Sequence, residues 1–319
     1  MRAFSYQRPT TFAEAAELLG QPDALPLGGG TDLLVCIEEG LSAPAVLVDL
    51  RAIEGNDAIA EQERGVRIGG AVRVHRLARD PLVLDAFPAF AQACHAVGSP
   101  ALRNMGTIGG NLCQRPRCWY FRRGIPCLKN GGSGCPAHSG ENQYHAIIDG
   151  GPCYVVHPSD PAVALTALDA ELQLTSREGT RSLRIADFYA LPRDRMDQET
   201  VLRPGEVVSA VVLPATFSRG PQFFRKILQR GAWDFALVSI AAARRRDGAI
   251  RIVLGGIAPR PWRVPESVEE DVASGGLDED SIAALAERAL YDAEPLSKNA
   301  YKVTLAASLL RDAMRELAA

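Results

Sequence analysis

The feature that most constrains this chain is the stretch from Gly106 to Asp160, where a glycine-rich turn, a run of cysteines and a Ser-Asp pair follow one another. It opens with Gly106-Thr107-Ile108-Gly109-Gly110-Asn111-Leu112. Glycines carry no Cβ, so backbone N–H groups in such a turn can close on an anion, and the expectation is a loop that wraps a pyrophosphate. Cys113, Cys118, Cys127, Cys135 and Cys153 come next, and His157-Pro158-Ser159-Asp160 ends the segment. A fold built on this stretch has to set a ligand loop beside a thiol-rich insertion.

A second glycine turn lies upstream. The apolar piece Ala24-Leu25-Pro26-Leu27 runs into Gly28-Gly29-Gly30-Thr31-Asp32-Leu33, and residues 33–39 suit a helix, so the order is strand, glycine turn, helix start. No Gly-Lys-Ser/Thr ending follows, which excludes a P-loop, and the glycines miss the dinucleotide spacing of a Rossmann turn. The turn is either a phosphate cradle of another kind or simply tight.

The remaining elements read as short strands alternating with short helices, an α+β pattern without repeats. Thr11-Phe12-Ala13-Glu14 forms a capping box for a helix over residues 12–19, stopped by Gly20. Residues 45–50 and 66–71 suit strands, and residues 87–97 a helix ended by Gly98. Pro161 to Ala170 reads as a helix with Ser159 or Asp160 as N-cap. Strands are expected at 171–175 and 183–185, with a Val-rich strand before Pro214. The polar run Thr216 to Pro221 marks a boundary, after which strands at 223–228, 236–244 and 250–257 and helices at 281–290 and 297–317 predict a three-stranded antiparallel sheet backed by helices.

Composition removes several function classes. A net charge of −3 in 319 residues offers no field for nucleic acid or acidic membranes, so any phosphate site must be local. No window approaches the roughly 18 unbroken apolar residues of a membrane span, and the N-terminus shows no apolar export segment, so no signal peptide of its own is expected. Seven cysteines are an odd number, and their clustering is unlike a disulfide framework, which favours reduced thiols.

Residue types leave several roles open at this point. Four thiolates suit zinc or an iron–sulfur cluster, yet no close C-x₂-C pair decides between them, and free cysteine is also a common core residue. Cys36 and Cys94 sit among apolar neighbours and are assigned to packing. Asp160 is either a flavin or ribose contact or a helix cap. Lys226, followed by Arg230 and Asp234 at four-residue steps, either steadies the electron-rich end of a cofactor or is a solvated strand charge. His138, His145 and His157 read as surface or capping residues. Arg115, Arg117, Arg122 and Arg123 either face a partner or solubilise the loop.

Taken together, these motifs resemble the FAD-binding medium subunits of the molybdenum hydroxylases, the family of xanthine dehydrogenase and carbon monoxide dehydrogenase. Pro26-Leu27-Gly28-Gly29-Gly30-Thr31-Asp32-Leu33 looks like the first FAD pyrophosphate loop of that family, and Thr107-Ile108-Gly109-Gly110-Asn111 like the second. The resemblance implies FAD contacts for Asp160 of the Ser-Asp pair and for Lys226 in Lys-x₃-Arg-x₃-Asp-x-Ala. Most members lack the insertion. The chain is most similar to the subgroup of periplasmic aldehyde oxidoreductases, where the insertion carries a [4Fe-4S] cluster, and the implied ligands are Cys118, Cys127, Cys135 and Cys153, with Cys113 left out.

The same resemblance implies a two-lobed FAD-binding domain of the PCMH or vanillyl-alcohol-oxidase type over 1–216, with lobes of about 1–56 and 57–216 and the insertion at about 113–153. A C-terminal domain of the CO dehydrogenase flavoprotein type over 217–319 follows. It implies a subunit that takes electrons from a large molybdopterin-binding subunit through a small [2Fe-2S] subunit and delivers them from FAD to an external acceptor. Aldehyde oxidation to carboxylic acid is the expected reaction, in the cytoplasm or in the periplasm by co-export with the small subunit. The alternatives are a xanthine dehydrogenase or hydroxybenzoyl-CoA reductase type complex, or a non-redox zinc-binding scaffold.

Overall fold

A computed structural model describes residues 2–231 and 233–318. Among the described residues, twelve strands form three sheets. Strands β1 (Ser5–Gln7), β2 (Ala24–Leu27) and β3 (Val46–Asp49) pair in parallel in the order β1-β3-β2. Strands β4 (Ile59–Gln62), β5 (Gly65–Gly69), β6 (Glu171–Ser176), β7 (Gly179–Arg184) and β8 (Val207–Pro214) make an antiparallel sheet in the order β4-β5-β8-β6-β7. Parallel strands need crossovers, and the helices Phe12–Leu19 and Leu33–Glu38 supply them around β2. The Thr11/Glu14 capping box is present at the first of these.

The third sheet corrects the expectation of three strands. It holds four, β9 (Gln222–Ile227), β10 (Val238–Arg244), β11 (Ile250–Gly255) and β12 (Trp262–Arg263), all antiparallel in the order β12-β11-β10-β9. A strand of two residues hemmed by Pro261 and Pro265 shows no alternation for a sequence pattern to detect. It exists because Arg263 and Trp262 register on Val253 and Leu254, and because Arg263 is held at 3.0 Å by buried Glu269, which also accepts from Ile252 N.

Alternation along β10 explains why this sheet is buried on both faces. Ala241 and Ala243 join a core with the helices Pro88–His95 and Asp160–Ala167, while Val238, Ile240 and Ala242 join a second core under Glu266–Ser274, Glu279–Ala289 and Tyr301–Ala318. Helix Glu266–Ser274 was not foreseen, because four acidic residues among nine blur its apolar stripe. The expected 87–97 helix is present as Pro88–His95, and a second helix, Pro81–Ala86, precedes it. Pro88 cannot donate to the preceding turn and restarts the helix after Phe87. Phe87 and Phe90 are fully buried there, and truncating Phe90 to Ala costs about 3–5 kcal/mol.

No helix among the described residues is long and apolar enough to cross a membrane. Every residue of Asp160–Ala167 is buried, so this helix is a central strut. Its start brings the Ser-Asp pair to the floor of the main cleft.

Candidate functional site

The two glycine turns meet edge to edge. A Cβ on Gly28 would lie 2.4 Å from Thr107 Oγ1, and one on Gly29 would lie 1.9 Å from the Met105 carbonyl oxygen, so only glycine permits this approach. Gly30 adopts φ +74, a left-handed turn that sends the chain into helix Leu33–Glu38. Together the turns wall a cleft of about 560 Å³, lined by Pro26, Gly28 through Leu33, Thr107, Gly110, Asn111, Asp160 and Lys226. Leu27, Ile108 and Gly109 are buried beneath the cleft and do not line it.

The turns differ in what they leave free. Thr107 caps the short helix Ile108–Leu112. Ile108 N donates to Val72 O, Gly109 N to Gly70 O, Gly110 N to Thr107 Oγ1 and Asn111 N to Thr107 O. That turn has spent its donors on architecture. By contrast, no backbone N–H from Gly28 to Leu33 has an acceptor among the described residues. Unpaired backbone donors clustered in a half-buried cleft call for an anion or water, so the first turn is the one whose donors are free to meet a ligand.

The floor is an ion pair. Lys226 Nζ donates to Asp160 Oδ2 at 2.7 Å and to Ala96 O at 3.1 Å, with both charged side chains almost wholly buried. Burial pushes the Asp160 carboxyl above its ordinary value, and the Lys226 ammonium opposes that shift. Ser159 is the cap of helix Asp160–Ala167, accepting from Ala162 N, which frees the Asp160 carboxylate for Lys226 and settles the choice between them. Ser159 also donates to Asn111 Oδ1 at 2.6 Å and so ties the second turn to the Ser-Asp pair.

A second cavity of about 600 Å³ meets the first at Asp160, Pro158, Arg117 and Phe235. Cys118, Trp119, Tyr144 and His145 of the insertion form one wall. His145 Nε2 lies 3.3 Å from Cys118 Sγ. His157, thought peripheral, is buried in the wall of this second cavity, takes the Ser159 N–H on Nδ1, and has its pKa pushed down to about 3 by burial.

The four candidate thiols lie in one region. Cys135 and Cys153 are neighbours whose thiols interact, which pulls the Cys135 thiol down and raises that of Cys153. Burial raises the Cys118 thiol, and neighbouring Cys135 and Cys127 raise it further. All the cysteines are unbridged. Among the described residues no three ligating side chains stand at the spacing of a single metal ion. Cys113 is packed against the core with its thiol pushed up to about 12 by burial, as suits an inert position.

The arginines left open by spacing hold the insertion in place. Arg117 and Arg122 converge on Asp32, and Arg115 and Lys129 converge on Glu199. At its far end, Asn142 and Asn299 cross-link residues 137–146 to 297–299, and buried Lys302 donates to the carbonyls of Tyr144, His145 and Gly256. The signal missed in the sequence was a lysine on the apolar side of the final helix.

A glycine-walled cleft floored by a buried carboxylate–lysine pair is a setting suited to an anionic cofactor. Residues 2–216 match the FAD binding domain in molybdopterin dehydrogenase, residues 223–317 match the CO dehydrogenase flavoprotein C-terminal domain, and the chain belongs to this family of oxidoreductase FAD subunits. It is 38% identical to the aldehyde oxidoreductase FAD-binding subunit PaoB of Escherichia coli K12, over 99% of this chain and 98% of that one. It is 27% identical to the glyceraldehyde dehydrogenase medium chain of Sulfolobus acidocaldarius, over 92% and 89%. Among solved structures, quinoline 2-oxidoreductase from Pseudomonas putida 86 superposes with a TM-score of 0.76 at 25% identity, covering 99% of this chain and 97% of that one.

Proposed function

We propose that this chain is the FAD- and [4Fe-4S]-carrying electron-transfer subunit of a heterotrimeric molybdenum hydroxylase that oxidises aldehydes to carboxylic acids. The observation that carries the reading is the row of unpaired N–H donors from Gly28 to Leu33 facing the same cleft as Asp160 and Lys226. The similarity to an aldehyde oxidoreductase subunit over nearly its full length supports the substrate class. The partners in this reading are a large molybdopterin-binding subunit, a small [2Fe-2S] subunit and an external acceptor.

Bound FAD would exchange two electrons in single steps, and a cluster would pass them one at a time. The chain's own residues supply the setting. Gly28 to Leu33 would bind the pyrophosphate, Thr107, Gly110 and Asn111 shape the opposing wall, and the Lys226 ammonium places positive charge where added electron density is favoured. Cys118, Cys127, Cys135 and Cys153 are the proposed cluster ligands. Cys118 feels Cys127 and Cys135, and Cys135 feels Cys153, so the four thiols share one region, as a four-iron cluster would require. The division proposed is 1–216 for the two-lobed FAD domain, with the insertion at 113–153, and 217–319 for the C-terminal domain.

Adding an aldehyde to the purified complex without an acceptor tests this. Bleaching of the flavin absorption is expected. Flavin that stays oxidised while the large subunit still turns over aldehyde with an artificial dye would overturn the proposal.

A further inference from the structure

Asp32 belongs to the flavin turn, yet its carboxylate is taken up by the cysteine-bearing insertion. Oδ2 accepts from Arg115 N at 2.7 Å, and Oδ1 lies 2.7 Å from Arg122 Nη2 and 3.1 Å from Arg117 Nη2. Asp32 is the N-cap residue of Leu33–Glu38 but makes no side-chain capping bond. Its charge has been diverted from its own helix, which leaves the neighbouring N–H groups without an internal acceptor.

Arg122 is nearly buried and spends its guanidinium on Asp32, on the Pro116 and Arg115 carbonyls and on Cys36 Sγ, so its fork is fixed from four sides. Arg122 N donates to Cys118 O, and Cys118 caps the turn Trp119–Arg122. Arg117 precedes Cys118 directly and also lies over the Phe235 ring at 5.1 Å. A shift of Cys118 therefore moves both arginines, and through them Asp32.

We propose that Arg117 and Arg122 are positioning residues that hold the Gly28–Leu33 turn in its flavin-binding shape only while the insertion is ordered around its metal centre, so that flavin binding and cluster retention are thermodynamically coupled. The inference rests on the function proposed above. Coupling of this kind is reciprocal: whatever iron contributes to flavin affinity, flavin contributes to iron retention.

The test follows FAD release by the recovery of flavin fluorescence from the intact complex, before and after anaerobic removal of iron with a chelator. The expected result is a rise in the FAD dissociation constant of about tenfold on iron removal. Chelator should also strip iron faster from flavin-free complex. Arg122→Lys, a point charge without the planar fork, and the isosteric Asp32→Asn should weaken FAD in the iron-loaded complex and show little further loss when iron is removed. An FAD dissociation constant that changes less than twofold on iron removal overturns the coupling, as does full retention of the iron effect in both variants. A complex isolated with flavin but with no iron beyond that of the small subunit overturns the cluster assignment as well, which separates the two failures.

Discussion

Lys226 and Asp160 form a 2.7 Å ion pair with both side chains at least nine-tenths buried, at the point where strand β9 ends against the first turn of helix Asp160–Ala167. Removing one member strands the other in a low-dielectric site. Lys226→Met is expected to destabilise the chain by about 3–5 kcal/mol, and Asp160→Asn combined with it to restore part of that loss. Denaturant unfolding of the wild type, Lys226→Met, Asp160→Asn and the double variant measures the coupling.

The back-to-back glycines predict a ligand-specific defect. Gly29→Ala would drive a methyl group into the Met105 carbonyl and force the two turns apart, so FAD content should fall at least tenfold. Gly231→Ala, where a Cβ meets nothing within 4 Å, should keep it. Flavin released by heat denaturation and quantified against protein checks both.

His157 makes stability depend on acidity. Its folded pKa is pushed down to about 3, below an unfolded value of about 6.5, so between those limits the unfolded chain holds the extra proton. The contribution is fully present above about pH 6.5 and is lost as pH falls toward 3, at about 1 kcal/mol per pH unit. His157→Gln should therefore flatten the acid limb of the stability curve relative to wild type, as read from unfolding midpoints across that range.

The thiols predict a split within the cysteines. Cys135→Ser should lower bound iron sharply, whereas Cys113→Ser, at a partly buried position packed on the core beside the cleft, should leave it unchanged. Iron analysis of the two variants decides; loss of iron from Cys113→Ser alone would refute the ligand assignment.

Local chemistry was legible and long-range pairing was not. The capping box at Thr11 and Glu14 is encoded within a few residues and the structure carries it as read, and the two glycine turns stand where the sequence puts them. Nothing local revealed that Asp32 binds arginines more than 80 positions away, that Lys302 would be clamped by three carbonyls, or that Trp262–Arg263 would complete a sheet. The second turn shows the limit most clearly. Thr107-Ile108-Gly109-Gly110-Asn111 reads as a donor-rich loop, and only tertiary contact with Gly70 and Val72 shows its N–H groups already occupied.

The most direct measurement is an anaerobic visible spectrum of the purified complex with flavin and iron quantified per copy of this chain. The account predicts flavin bands on broad iron–sulfur absorption, with FAD equimolar to the chain and iron for a four-iron cluster beyond that of the small subunit. A chain that is flavin-free after careful preparation with its partners, or that carries zinc in place of iron, would contradict it.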